Sequence, residues 1–421
     1  MRNWAGNHTF RARRIHEPRS IEETQEIVRA AANLRVLGSR HSFNDIADTD
    51  GDLLSLAALP RTIEIDRAAE TVTVDGGIRY GELCGALHAA GGALHNLASL
   101  PHISVAGACA TGTHGSGDRH GSLSTAVQAM DIVRADGEIA TIDGRDADLL
   151  AGAAVSLGAF GVVTRLTLRT EPGFMVRQDV FEDLPVDAFV AHFESLASEA
   201  DSVSFFTEWT DDGIDQVWFK RRVADDAFEP PDDLRGATRA TIERHPIRRM
   251  PPDACTGQLG IAGPWHERVP HFRMDHMPSS GDEIQSEYFV ARSDGVAAFL
   301  ALHAIRRHLA RVIQVSEVRT IAADDLWLSP ASGRPSVAFH FTWKPDSDAV
   351  ARVLPLVERA LAPFGPRPHW GKVFTMPPPE VRAAYPRLAA FAQVARRFDP
   401  TGTFHNDFLR RYVALQSPGG G

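Results

Sequence analysis

The chain has 421 residues, 43% hydrophobic and 23% charged, ordinary values for a globular protein with two or three domains' worth of core. A formal net charge of −10 argues against nucleic acid or an anionic membrane as a partner, because both need clustered positive charge. The three cysteines, Cys84, Cys109 and Cys255, show no Cys-x-x-Cys spacing, so neither a disulfide framework nor a thiolate zinc site is expected, and a reducing, cytoplasmic compartment fits.

The opening Met-Arg-Asn-Trp-Ala-Gly-Asn enters no apolar h-region, so no signal peptide is expected, and the Asn7-His8-Thr9 sequon is discounted with it. The longest low-polarity run, Ala151 to Val163, is too short and too rich in Gly and Ala for a bilayer span of about 20 apolar residues. Pro18-Arg19-Ser20-Ile21-Glu22-Glu23 predicts a helix start, with Ser20 capping and Glu23 reaching back. Ile21, Ile27, Val28 and Ala31 continue it as an apolar stripe. An apolar strand, Leu34 to Leu37, then stops at Gly38. The chain thus opens as β-α-β without a Gly-x-Gly-x-x-Gly fingerprint, which counts against a nicotinamide-binding Rossmann domain.

In the turn Gly38-Ser39-Arg40-His41-Ser42-Phe43-Asn44, glycine and the two serines let the backbone bend sharply and leave N–H groups uncovered. Successive uncovered N–H groups form a concave anion site suited to a pyrophosphate. On its own, such a turn is usually only a turn, and a lone histidine in it is usually a surface or hydrogen-bonded one. A second stretch of the same chemistry, Ala98 to Gly117, makes the two readable as halves of one cradle for a large phosphate-bearing cofactor.

Thr62 to Asp66 and Thr71 to Asp75 alternate as a half-buried hairpin, and Tyr80 to Ala90 reads as a helix stopped by Gly91-Gly92. Val127 to Arg134 and Glu138 to Ile142 flank the hairpin signal Asp136-Gly137, and Val162 to Leu168 is another alternating strand. Beyond Glu171-Pro172-Gly173 come a helix, Val186 to Ala200, and strands Val203 to Trp209 and Gln216 to Arg222 around Asp211-Asp212-Gly213. Ala224 to Ala254, rich in Pro, Arg and Asp, is expected to be a surface excursion. Strands at Glu287 to Ala291, Val312 to Thr320 and Val337 to Thr342 alternate with helices at Val296 to Leu309 and Ala349 to Leu361. The terminal Pro-Gly-Gly-Gly is expected to be disordered.

Residues 38–44, with Ser99-Leu100-Pro101-His102-Ile103-Ser104-Val105-Ala106-Gly107 and Thr111-Gly112-Thr113-His114-Gly115, resemble the FAD-binding segments of the vanillyl-alcohol-oxidase superfamily. Within it the chain is similar to the sugar-alcohol (alditol) and sugar-lactone oxidases. That likeness runs from Asn3-Trp4-Ala5-Gly6-Asn7 to Phe404-His405-Asn406 and includes Gly263-Pro264-Trp265-His266-Glu267-Arg268, Glu317-Val318-Arg319-Thr320 and His369-Trp370-Gly371-Lys372-Val373-Phe374. The resemblance implies FAD attached covalently to His41 through the flavin ring methyl. Cofactor contacts are implied at Val36, Leu37, Gly38, Ser39, Arg40, His41 and Ser42 from the first loop, at Ser99, Ser104, Gly107, Thr111, Gly112, Thr113 and His114 from the second, and at Val163. Arg40 departs from the glycine usual in alditol oxidases, which puts the loop's geometry rather than the linkage in question.

On a strand, residues two apart share a face. Glu317 with Arg319, and His340 with Thr342, therefore make two polar pairs opposite Phe339, Phe341 and Trp343. A solvent-facing strand gives the same pattern more often, and a lysine among apolar neighbours, as at Lys372, is more often a snorkelling surface residue. The resemblance favours a substrate wall of Ser99, Glu317, Arg319, His340, Thr342 and Lys372. In it Arg319 and Lys372 are catalytic and the rest hold the hydroxyls of a polyol. It also implies electron transfer to molecular oxygen, with the residue size at Ala98 acting as an oxygen gate.

The expected fold class is α+β. A flavin-binding domain of the vanillyl-alcohol-oxidase (PCMH) type spans 1–172. A substrate domain, 173–380, has a mixed or antiparallel sheet with helices on one face, and a segment at 381–421 returns to the first domain. The expected partners are a small polyol and O₂, with no nucleic acid and no membrane, and the expected state is a monomer. An aldonolactone substrate is the alternative on the same scaffold. A metal site built from His95, His102, His114 and His120 has spacings that match no recognised pattern.

Overall fold

The computed structural model describes residues 1–210, 213–223, 229–276 and 282–415. Near the N-terminus, β1 (Arg14–His16), α1 (Ile21–Ala30), β2 (Leu34–Val36) and β3 (Asp52–Leu54) form a small parallel sheet in the order β1-β3-β2. The β-α-β opening is there, with β3 inserted between its strands. Ser20 caps α1 by accepting from Glu23 N at 3.1 Å, whereas Glu23 reaches back to Arg19 N (2.7 Å) rather than to the cap itself.

Next come β4 (Ile63–Asp66), β5 (Thr71–Asp75), α2 (Tyr80–Ala89), the short β6 (Gly92–Ala93), α3 (Val105–Ala110), β7 (Val127–Val133), β8 (Ile139–Asp143), α4 (Ala147–Ala153) and β9 (Val162–Arg169). Strands β4-β5-β9-β7-β8 make a five-stranded antiparallel sheet, and its alternation buries Val72, Val74, Leu166 and Leu168 against α2 and α3. The short β10 (Glu171–Pro172) pairs with β6.

The second half contributes β11 (Met175–Pro185), α5 (Val186–Ala197), β12 (Ser202–Thr207), β13 (Gly213–Arg222), β14 (Asp233–Leu234), β15 (Ala237–Arg239) and β16 (Gly263–Pro264). These are followed by β17 (Ile284–Ala291), α6 (Gly295–Ala304), α7 (Arg306–Leu309), β18 (Ile313–Ile321), β19 (Ser336–Trp343), α8 (Ser347–Leu361) and β20 (Arg367–Pro368). Among the described residues the strands form a 10-stranded sheet, antiparallel at every pairing, in the order β14-β15-β11-β13-β12-β18-β19-β17-β20, with β16 on β11. Period-two alternation sorts its side chains. Phe205, Val217, Phe219, Val318, Phe339 and Phe341 pack in the large core with α5, α6 and α8. Phe206, Trp218 and Val315 point the other way, into a smaller cluster.

That cluster corrects one expectation. The Pro/Arg/Asp-rich stretch is not only a surface excursion: β14 and β15 extend the sheet edge, and Ala240 and Ile247 are buried under the far face, with Cys255 just beyond the stretch. Residues 224–228 of that stretch, the Asp211-Asp212 turn and the terminal Pro-Gly-Gly-Gly lie outside the described residues. The helix expected at 296–309 is two helices, because Ile305 departs from helical backbone (φ −101°, ψ 9°).

The chain ends in α9 (Pro378–Ala383), α10 (Leu388–Phe398) and α11 (Asp407–Val413). Asn406 Nδ2 donates to the carbonyls of Asp45, Ile46 and Asp48 at 2.9–3.2 Å, and Leu34 N donates to Thr403 O at 2.7 Å. Buried Arg35 joins the same strands together. Its guanidinium donates to Ile46, Leu157, Gly158 and Phe404 carbonyls at 2.6–3.0 Å, which offsets part of the cost of burying a cation whose pKa burial pulls down to about 10.

Candidate active site

A cavity of about 450 Å³ is lined from both halves of the chain, within the usual range for small-molecule sites. One side is the turn after β2. Among the described residues, the N–H groups of Gly38, Ser39, Arg40, His41 and Ser42 donate to no protein acceptor. The loop is shaped by close contacts: a Cβ on Gly38 or on Gly107 would come within 2.6 Å of Ser104 Oγ, and Ser104 N donates to Ser39 Oγ at 3.2 Å. Arg40 adopts a left-handed φ of +64°, which explains why a glycine suits this position better. Its carbonyl accepts from Trp4 N at 2.9 Å, and the Trp4 indole stacks on His41 at 4.8 Å and 18°. His41 Nδ1 lies 3.2 Å from Ser39 O, while Nε2 is buried without a partner; burial pulls the imidazole down to about 4.

The cradle is clamped to the opposite wall. Phe43 N donates to Gly371 O at 2.7 Å, and Asn44 Nδ2 donates to the carbonyls of Trp370 and Lys372, each at 2.8 Å. These bonds fix the segment carrying Lys372 relative to His41.

The wall is the far face of the large sheet. Register sets Glu317 opposite His340, and His340 opposite Glu287 on the next strand; Thr342 lies between Val315 and Gln285. Glu287 is the hub. Its Oε1 accepts from Arg319 Nη2 (2.8 Å) and lies 3.1 Å from His114 Nε2, and its Oε2 accepts from Lys372 Nζ (2.7 Å). Burial alone would raise this carboxyl, but Lys372, His114 and Arg319 outweigh it and hold it well below the usual range. Burial likewise opposes charge on Arg319, where Glu317 and Glu287 outweigh it and raise its pKa. On Lys372 burial prevails over Glu287 and lowers the pKa from 10.5. Glu317 accepts from His271 Nε2 at 2.8 Å, with His340 Nδ1 at 3.6 Å and Arg319 Nε at 3.5 Å. His340, pulled down to about 4 by burial, has a buried Nε2 without a partner. Arg319 Nη1 reaches Ser99 Oγ at 3.4 Å.

All the wall residues expected from sequence, Ser99, Glu317, Arg319, His340, Thr342 and Lys372, line this cavity. Of the expected cofactor contacts, Gly112 does not: it makes a left-handed turn (φ +66°) packed against Pro330. Lys372 is held by Glu287 instead of snorkelling to solvent. Sequence reasoning missed Glu287 and Gln285, because the strand was started at Glu287 and its polar face went unnoticed. It also missed His271, whose loop carries no periodic signal. The four histidines considered as a metal set do not meet as one. His95 faces His120 at 6.0 Å, His102 bonds Met274 O, and His114 bonds Glu287. Among the described residues no group of three or more His, Cys, Asp or Glu is arranged to hold a metal ion, and no helix is long and apolar enough to cross a membrane.

A family model described as FAD binding domain matches residues 12–143, and one described as D-arabinono-1,4-lactone oxidase matches residues 277–412. The chain is 49% identical to an alditol oxidase of Streptomyces sp. over 411 residues, 97% of each chain. It is 30% identical to an L-gulono-1,4-lactone dehydrogenase of Mycobacterium tuberculosis over 98% of each. A solved solvent-stable cholesterol oxidase shares the fold, with a TM-score of 0.78 at 15% identity, covering 98% of this chain and 97% of that one. The cradle fits FAD: it offers a row of uncovered N–H groups, a glycine-only contact and an orphaned imidazole nitrogen.

The buried imidazoles set a pH dependence of stability. His95, His245, His271 and His340 are each pulled by burial from 6.5 to about 4. Between those values the unfolded chain binds protons that the folded chain does not, so stability falls as pH drops through the window. Glu287 and Glu317, held below 4.5, add their loss only beneath it. Thermal melts from about pH 7 down to about pH 4.5 should show Tm falling throughout; a flat Tm would contradict neutral burial of these rings.

Proposed function

The chain belongs to the FAD-dependent alditol oxidase family, and from that premise we propose that it oxidises a terminal hydroxyl of an alditol of the xylitol or sorbitol type to the aldose, with O₂ reduced to hydrogen peroxide. The observation that carries this reading is the cavity wall, where Glu317, Arg319, His340, Thr342 and Lys372 offer alternating donors and acceptors beside a cofactor cradle. A polyol needs one of each at every hydroxyl. The small side chain of Ala98 on the same cavity supports oxygen as the acceptor.

When bound, FAD supplies the hydride acceptor and the route of electrons to O₂. Residues 38–42, whose backbone N–H groups are uncovered, would hold its pyrophosphate, and His41, with its unpartnered Nε2, would carry it covalently. Arg319, a permanent cation, stabilises negative charge that develops on the reacting hydroxyl oxygen. Lys372, its pKa lowered by burial, accepts the hydroxyl proton in its neutral form while still donating one N–H to Glu287. Glu317, His340 and Ser99 hold the remaining hydroxyls, which sets the reach along the substrate chain.

A peroxide-coupled screen of alditols against gulono- and galactonolactone tests the substrate class. Turnover of alditols is expected, and turnover of the lactones alone would overturn the reading. Arg319→Ala and Lys372→Ala should each lower kcat/KM by roughly 10²–10³-fold, and near-normal turnover would remove their assigned roles. Denaturation tests the tether separately. The yellow chromophore should stay with the precipitated wild-type polypeptide and leave with the supernatant in His41→Ala, whereas release from the wild type would exclude a covalent bond.

A further inference from the structure

Behind Glu317 lies a run of buried polar groups for which substrate binding, as derived above, has no use. Lys220 stands on the far face of β13 with Gln216 and Trp218, is 1% exposed, and does not line the cavity. An ammonium has three N–H donors and no acceptor. Around Lys220 Nζ stand Val269 O at 2.7 Å, Pro270 O at 2.8 Å and His271 Nδ1 at 3.1 Å. The carbonyls can only accept, so with Lys220 as the ammonium the third N–H goes to Nδ1, which is then bare. The ring proton is then on Nε2, from which it is donated to Glu317 Oε1 at 2.8 Å. Every donor in the row has one acceptor.

We propose that Lys220 and His271 are positioning residues that lock this imidazole tautomer and so keep Glu317 a carboxylate that accepts a substrate hydroxyl. The inference rests on the polyol reading of the wall. Its competitor has the same number of protons: one passes from Lys220 to Nδ1 and the Nε2 proton passes to Glu317, which would then donate rather than accept. The groups facing Glu317 decide between them. Arg319 Nε at 3.5 Å and His340 Nδ1 at 3.6 Å both lie on Oε2, and both favour the carboxylate. Lys220 itself is faced by Cys255 and Arg268 besides Glu317.

The ring's role is separable from that of its backbone. Ser99 O accepts from both His271 N (3.1 Å) and Phe272 N (3.2 Å), and Thr256 N donates to His271 O (2.9 Å). A side-chain substitution leaves these bonds alone. The ring also sits edge-on to Phe206 and Trp218, so His271→Phe fills the same aromatic nest without a donor.

Two measurements on the holoenzyme test the proposal. Side-chain ¹⁵N NMR of histidine-labelled protein at about pH 6, with His271 assigned by its loss in His271→Gln, should show Nε2 protonated and Nδ1 bare. A proton on Nδ1, or on both nitrogens, would overturn the lock. Lys220→Met should give mixed tautomers, and an unchanged pure Nε2–H form would remove Lys220 from the account. In kinetics, His271→Phe should raise KM for the alditol by roughly tenfold or more at the acid end and create a new acid limb in the KM profile, with kcat changed less. His271→Gln, whose amide N–H can replace Nε2–H, should remove that limb. A His271→Phe enzyme with the wild-type KM profile would overturn the proposal. A wild type that oxidises no alditol would overturn the substrate reading instead, and the tautomer measurement would still decide the lock.

Discussion

A buried carboxylate holds the wall together. Glu287, 1% exposed, joins a histidine from the second cradle loop, an arginine from β18 and a lysine from the segment after β20. Two of these partners, Arg319 and Lys372, are basic groups whose charged forms burial penalises, and the carboxylate orients both in the cavity. The arrangement works in both directions. Without them Glu287 would be an isolated buried charge, and without Glu287 Lys372 would lose its anchor and Arg319 would keep only Glu317 and Ser99.

The same logic of shared constraints links the cofactor cradle to the wall. The bonds from Phe43 and Asn44 to residues 370–372 tie the loop that presents His41 to the loop that presents Lys372. Arg35 and Asn406 tie the chain's end back to the strands beneath the cradle. The distance between the His41 loop and the polar wall is therefore set by hydrogen bonds to backbone carbonyls, one from a backbone N–H and the rest from side chains.

Much of this was legible in sequence because the relevant signals are local. Strand alternation grouped Glu317 with Arg319 and His340 with Thr342, and the antiparallel register set both pairs on one face of the sheet. Capping, hairpin and Gly/Ser-turn chemistry located most of the elements around the cradle. What was not legible depends on long-range pairing. Glu287 reads as the first residue of a strand until β19 and residues 368–373 pair around it. Lys220 reads as one more polar residue near a strand end. His271 becomes a partner of Glu317 only once its loop folds over the far face of the sheet. The Pro/Arg/Asp-rich stretch misled because composition suggested solvent, while its scattered Ala237, Ala240 and Ile247 carried the burial.

The most direct measurement is steady-state turnover of an alditol by Glu287→Gln, with FAD content read from its absorbance. If one buried negative charge organises the site, this variant keeps its FAD but loses roughly 10²–10³-fold in kcat/KM, as Arg319 and Lys372 lose their shared partner. A flavin-loaded Glu287→Gln enzyme that turns over within about threefold of the wild type, well inside the loss expected of one such contact, would contradict the account.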